Sequence, residues 1–499
     1  MRPTTAAALL LSAGFAATAW SQGKPARAEH DNFYWLGEFN KASTVMVVEQ
    51  AIVPRDLGAK IAAGVARVIE DGDQPGAKRP GDYLQYEPLL IAYAGPDATR
   101  MHSGRSRQDI LATTRRAMLR ERTLALLQAM AVAREKVLAT AAQHADTIVP
   151  AYTNGVQAQP TTYGHYLLAF AAAFERDAER LRQAYARLNL SPLGSAALGT
   201  SSFPVNRSRL AELLGFDGVA ENSYDANHVS TMDIAGELAN TASLAALTMG
   251  SLVEDIHTQY HQTQPWLLIQ TGTLTHASSI MPQKRNPTIL NTLRLQASTV
   301  VGGATLYALQ SHNVSPGMPD YKREQSQKTL DDAIDMFRQL AALLDNLVVF
   351  RERALAEVNA EYSTTTELAD VLQREADVPF RIGHHFASQL VDFGRKNELK
   401  PSEIAYSEAV RIYAEAGREF SLANARLPLT EARFRSSLSA EGMVNSSKGL
   451  GGPQAAEVKR MLEAGRKRLA EDQAWVAQRL AKLAQAQSGL DAAFRRIAR

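Results

Sequence analysis

Four long stretches of this chain carry apolar residues at three- and four-residue spacing with no proline inside them, which leaves few folds open. In "GHYLLAFAAAFERDAERLRQAYARL" (164–188), Leu167, Phe170, Phe174, Ala178, Leu181, Tyr185 and Leu188 form one stripe. Glu175, Arg176, Glu179 and Arg180 form the opposite, solvated face. Pro160, Thr161 and Thr162 supply a start signal. A second stretch, about 229–261, aligns Ile234, Leu238, Ala242, Ala245, Met249, Leu252, Ile256 and Tyr260. A third is expected to follow Pro287 and run to about Gln310. A fourth is expected over about 321–358, with Leu330, Ile334, Phe337, Leu340, Leu344 and Leu347 inward. Helices of such length point to a bundle, often one shared between subunits. Strand signals are weak throughout, so the expected class is all-α.

At 499 residues the chain is long enough for roughly three domains. Prolines at 54, 75, 80, 88 and 96 break the early part into short helices. The helices shorten again past about 355, and 454–499 reads as helix from its Ala, Arg, Lys and Leu content. The expected division is 1–19 as a leader, 20–110 as an N-terminal helical domain, 111–355 as a central bundle and 356–499 as a C-terminal helical domain. The stretch "SSLSAEGMVNSSKGLGGP" (436–453) reads as a loop of small residues. The leader "MRPTTAAALLLSAGFAATAW" has one Arg, an apolar run and an Ala-Thr-Ala site, a secretory pattern. It predicts a periplasmic or secreted protein; a cytoplasmic enzyme carrying an Ala-rich tail is the alternative. No other stretch has the roughly 18 apolar residues of a membrane span, so no membrane association is expected after processing. A net charge of +2 argues against nucleic acid as a partner. The absence of cysteine excludes disulfides, thiolate metal sites and a Cys nucleophile.

Three patches look unlike packing. "HSGRSRQD" (102–109) sets two Arg and two Ser before a long helix, where guanidinium forks and backbone N–H groups suit a carboxylate or phosphate. "PAYTNGVQAQP" (150–160) holds Thr153, Asn154, Gln157 and Gln159 between prolines and reads as an inter-helix loop. "THASSIMPQKRNP" (275–287) joins a small-residue loop to Lys284 and Asn286, with Pro287 at a helix start. Residues 271–279 have the flexibility of a lid.

"SSIMPQKRNP" resembles the signature of the fumarase/aspartase lyase superfamily. "HSGRSRQD", "AYTNGVQAQP" and "LSPLGSAALGTSSFPVNR" (190–207) resemble the argininosuccinate lyase family in particular, on a divergent branch similar to the ethylenediaminedisuccinate lyases. The likeness runs from about Asp31 to beyond Lys328, with the motifs in family order. It implies a three-domain, all-α subunit with a long central bundle, and a homotetramer whose active sites are shared between chains. It implies a carbon–nitrogen lyase: reversible β-elimination of an amine or guanidine from an N-substituted aspartate, releasing fumarate, with a small dicarboxylate as partner and no metal or organic cofactor. By resemblance Ser278 is the general base. Lys284 and Asn286 bind a carboxylate, Ser106, Arg107 and Gln108 occupy the fumarate side, and Thr153 is a further contact. Tyr321 lies near the amine half, with Gln325 or Gln327 near a family glutamine. Loop N–H groups and Lys284 are the expected stabilisers of a Ser278 alkoxide.

The chain departs from the family at informative places. The family His after Thr153 is Asn154, and its Glu partner is Asn291. Asn has no proton to exchange near neutral pH. Gln108 stands where the family has Asn, and Ala277 where it has Gly. Three readings follow. One is a working lyase with altered acid catalysis, His276 being the spare titratable group on the loop. Another is a relative acting on other N-substituted aspartates, since an exported enzyme has little part in arginine biosynthesis. The third is a catalytically weakened or inactive binding or structural protein.

Overall fold

The computed structural model describes residues 30–318, 325–422 and 424–499. The expected leader and Tyr321 lie outside the described residues. The chain is all-α with a few short strands. In order, α1 (Asn32–Glu49), α2 (Arg55–Gly72) and α3 (Tyr83–Ala94) lead into α4 (Arg107–Gln143). A hairpin of β1 (Ile148–Thr153) and β2 (Val156–Thr162) precedes α5 (Tyr163–Leu188). Next come β3 (Leu190–Ser191), α6 (Arg207–Leu213), β4 (Gly218–Val219) and α7 (Ser230–Thr258). β5 (Leu267–Ile269), β6 (His276–Ala277) and β7 (Arg285–Asn286) follow, then α8 (Thr288–Ser311) and α9 (Gln325–Leu344). β8 (Leu347–Val349) leads to α10 (Arg351–Ala360), α11 (Thr365–Ala376), α12 (Phe380–Lys396), α13 (Tyr406–Glu419), α14 (Glu431–Ser437), α15 (Ala440–Ser446) and α16 (Ala455–Ala498).

The central bundle packs α4, α5, α7, α8 and α9. The stripe expected on α5 is buried, Phe170 alone being only partly so, and Phe174 meets Phe337 of α9 edge-on at 5.4 Å. On α7 the expected residues 234–256 are likewise buried. A buried side chain of this size contributes about 1.5–3 kcal/mol, so these stripes hold the bundle. Local chemistry sets the helix starts. Ser106 caps α4, its Oγ accepting from Gln108 N–H while Asp109 accepts from Ser106 N–H, each at 2.9 Å. Thr162 caps α5.

Three expectations need correction. The fourth stretch is not one helix: it stops at Leu344, and 347–349 pairs antiparallel with 267–269 before α10 begins. The β-branched Val348 and Val349, after the turn-prone Asp345 and Asn346, favour that break. The patch at 150–160 is a β-hairpin, not a loop between helices. Asn154 (φ +53°) and Gly155 (φ +77°) are its two central residues, the left-handed pair of a type I′ turn. Within 436–453, Ser439 caps a short helix, α15, so only the second half of that stretch is loop.

The buried apolar residues form three clusters, and the last helix is shared between two of them. A C-terminal core forms from residues 368–438. α16, about 66 Å long at the usual rise, does not join it. Val458, Leu462, Leu469 and Val476 pack on the central bundle, and Leu490, Phe494 and Ile497 enter the N-terminal core beside Phe33 and Phe39. Among the described residues no helix is long and apolar enough to cross a membrane.

Candidate active site

The patch at 102–109 divides into scaffold and free edge. Arg105 is buried, donating to Asn40 Oδ1 (3.0 Å) and Ser43 Oγ (2.8 Å) over the Tyr83 ring. His102 stacks on Tyr83 at 4.2 Å, and burial, then the Arg105 charge, pushes its pKa down to about 3. His102, half-buried and with Nδ1 3.3 Å from Arg105 Nη2, belongs to the scaffold. Arg107 remains on the surface, its Nε 2.6 Å from Asp82 Oδ2, and Asp82 is the cap of α3. Ser106 and Gln108 are half-buried beside it.

Asp109 welds this edge to the motif at 190–207. It is fully buried, accepting from Ser106 N–H with Oδ1 and from Gly194 N–H (2.8 Å) and Ala196 N–H (3.2 Å) with Oδ2. Burial pushes its pKa up to about 7, against those donors and Arg105. Asp109→Asn replaces one acceptor oxygen with a donor facing N–H. It is expected to cost about 1–3 kcal/mol, read as a lower denaturation midpoint.

Thr153 and Asn154 sit exposed at the tip of the β1–β2 hairpin. The hairpin is braced on its far side: Tyr152 bonds Glu357, and Gln157 Nε2 donates to Ser363 Oγ (2.9 Å) and Val358 O (3.2 Å).

Residues 271–287 form a small hairpin rather than an open loop. His276 pairs with Asn286 and Ala277 with Arg285, while Ser278 N–H reaches Lys284 O at 3.3 Å. Asn286 Nδ2 donates to His276 O at 3.2 Å. Ser278 Oγ accepts from Met281 N–H at 3.2 Å, with Ile280 N–H at 3.5 Å. Backbone donors therefore already face the oxygen expected to act as base. Lys284 is exposed, and Ile280 is 83% exposed at the tip. Asn291 is exposed on the first turns of α8.

Ser278, Lys284 and Asn286 are thus brought together on one hairpin, and 106–108 are tied to the 194–200 loop. Among the described residues no hydrogen bond or ion pair joins these two groups to each other or to the 150–160 hairpin. Within one chain none links Asn154 to Asn291. Sequence reading gave no role to Asp82, whose place before "YLQYEPLL" is a capping signal. It likewise gave none to Asp109. The described residues assemble no group of three or more His, Cys, Asp or Glu side chains able to hold a metal ion.

A lyase family profile matches residues 90–302, and an argininosuccinate lyase C-terminal profile matches residues 362–445. The argininosuccinate lyase of Methanoculleus marisnigri is 36% identical over 397 residues, 78% of this chain and 77% of the relative. The chain belongs to the argininosuccinate lyase family. As a member it is a carbon–nitrogen lyase. Among solved structures, ethylenediaminedisuccinate (EDDS) lyase in complex with formate superposes with a TM-score of 0.84 at 28% identity, covering 94% of this chain and 92% of that one. An EDDS lyase variant with bound fumarate gives the same values. The argininosuccinate lyase C-terminal match lies on the segment that forms the C-terminal core.

Proposed function

We propose that this lyase family member releases fumarate from an N-substituted aspartate by β-elimination, with Ser278 as the base. The observation that carries this reading is Ser278 Oγ under the Met281 N–H on a hairpin that also holds Lys284 and Asn286. The base takes a proton from the carbon beside one carboxylate. The C–H electron pair is first held on the carbon and its carboxylate as a dianion. It then forms the C=C bond of fumarate as the C–N bond breaks, and the C–N electrons pass to the nitrogen, which takes up a proton to leave as the amine. The intermediate dianion needs cations and N–H donors around it. Lys284 and Asn286 would serve one carboxylate, and Ser106, Arg107 and Gln108 the other, with Thr153 as a further contact. That fumarate is bound by an EDDS lyase variant supports a dicarboxylate site of this kind.

Among the described residues no hydrogen bond or ion pair joins the motifs within one subunit, which favours sites completed by neighbouring chains. Apolar side chains left exposed on the bundle support the same view. Leu244 and Leu247 on α7 and Leu295, Leu306 and Leu309 on α8 are 43–69% exposed, more apolar surface than a solvated helix pair usually presents. A homotetramer built on these helices would cover them. The leader favours action outside the cytoplasm, and with it an amine half other than that of arginine biosynthesis.

The proton for the leaving amine is the open step, because Asn154 and Asn291 cannot supply it. Asn154→His is compatible with φ +53°, a region His enters more readily than most residues. The Asn154→His/Asn291→Glu double variant is expected to raise fumarate release from an N-substituted aspartate about 10²-fold or more. An unchanged rate would mean that another group already performs the step. Fumarate absorbance across a panel of N-substituted aspartates, with Ser278→Ala as the blank, tests the reaction itself. Fumarate binding without turnover on every substrate would favour the inactive-relative reading.

A further inference from the structure

The motif at 190–207 closes onto the fumarate-side edge from two directions. A Cβ at Gly104 would lie 2.3 Å from Val205 Cγ2 and 3.0 Å from Ser201 Oγ, so the 201–205 segment rests on the backbone just before Ser106. Further along, Asp109 holds the amides of Gly194 and Ala196. Between these points the backbone is under tension: Ala196 (φ +56°) and Thr200 (φ +62°) are left-handed without being glycine. Each such residue costs about 1–2 kcal/mol, so the loop keeps its shape only if its surroundings hold it.

The holding groups come from one turn of π-helix, Asp225–Val229, immediately before α7. Turns of this kind are rare and recur at functional sites. Here the turn delivers two consecutive side chains to the loop. Asn227 Nδ2 donates to Ala196 O (2.8 Å), Ala197 O (3.1 Å) and Ser195 Oγ (3.0 Å). His228 Nε2 lies 2.9 Å from Ala197 O. A carbonyl only accepts, so Nε2 of His228 donates to it. Both residues are buried, Asn227 at 0% and His228 at 3% exposure, and so stand behind the site. The loop is thereby gripped by its amides from Asp109 and by its carbonyls from Asn227 and His228.

We propose that Asn227 and His228 are positioning residues for the carboxylate-binding edge at 106–108, acting through the 194–200 loop and Asp109. The inference rests on the reading of that edge as the fumarate side. Without the grip, Ala196 would be free to leave its left-handed conformation and release Asp109, whose other oxygen orders Ser106 at the start of α4. Carboxylate affinity should then fall through misplacement of Ser106 and Arg107.

Calorimetric titration of fumarate into full-length protein tests this. His228→Leu, which removes the donor, is expected to weaken fumarate about five- to thirty-fold. His228→Gln, whose amide can still reach Ala197 O, is expected to bind within about threefold of wild type. Rescue of this kind separates positioning from simple loss of packing. If His228→Leu does not fold, Asn227→Ser, which shortens the other donor, takes its place with the same expected loss. Arg107→Ala is the reference variant and should lose affinity in its own right. Wild-type affinity in His228→Leu, or His228→Gln as weak as His228→Leu, overturns the inference while Arg107→Ala still binds poorly. A wild-type protein that takes up no fumarate, or an Arg107→Ala variant that binds it normally, overturns the functional reading and the inference with it.

Discussion

Ser278→Ala should lower fumarate release by about 10²–10⁴-fold with little change in stability. The two halves of this expectation have separate origins. The hydroxyl makes few structural contacts: its oxygen accepts from Met281 N–H, and that amide lies on an exposed turn where water can replace it. Surface losses of this kind stay within about 0.5 kcal/mol. For catalysis the same oxygen is the proposed proton acceptor, and alanine offers nothing in its place. Initial rates by ultraviolet absorbance, beside thermal denaturation of the same preparations, read both quantities. Equal rates in the variant and the wild type would place the base elsewhere, with His276 on the adjoining strand the first residue to examine.

Asp472→Ala should destabilise the protein by about 3–5 kcal/mol, the largest single-site stability effect expected here. Asp472 on α16 accepts from Arg134 Nη1 of α4 at 2.5 Å and from Arg182 Nη1 of α5 at 2.7 Å. Arg134 is only 2% exposed, and its one other acid partner, Glu175, is 3.8 Å away. Removing Asp472 therefore leaves a guanidinium enclosed among three helices with only the longer Glu175 contact to offset its charge. Asp217 is the matching control. It pairs with Arg479 and Lys482 at the surface, and its removal should cost about 0–1 kcal/mol. Denaturant midpoints measured at fixed protein concentration compare the two variants, and similar losses would show that burial of Arg134 is not what matters.

Legibility in the sequence followed the range of the interactions. The stripes of α5 and α7 could be read residue by residue, because burial along a helix repeats every three or four positions. The cap at Ser106 and the start of α5 at Thr162 were likewise local. The break after Leu344 was not, because 347–349 finds its partner some eighty residues earlier. The hairpin at 148–162 does carry a local signal, Asn154-Gly155 between Thr153 and Val156, but the polar side chains between two prolines give the same stretch the look of a loop. At the site, the motifs pointed to Ser278, Lys284 and Asn286, which do share one hairpin. They were silent on what orders the edge at 106–108. Asp109, Gly194 and Asn227 are far apart in the chain, and only the fold shows which amides and carbonyls they take up. Asn154 illustrates a double meaning: in sequence it reads as a lost histidine, and in the structure it is also the residue type a type I′ turn prefers.

The last helix has a bearing on when the protein can fold. Phe33, Leu36 and Phe39 share a core with Leu490, Phe494 and Ile497, so the opening domain lacks one wall until the closing residues exist. At roughly 5–20 residues per second, a ribosome needs about 20 to 90 seconds to make the intervening chain. Throughout that interval the first hundred residues expose apolar surface that only the terminus can cover. Completion of the N-terminal core therefore waits until residues 490–497 have been made. Until then the nascent chain remains open to chaperones and to any machinery that handles unfolded polypeptide.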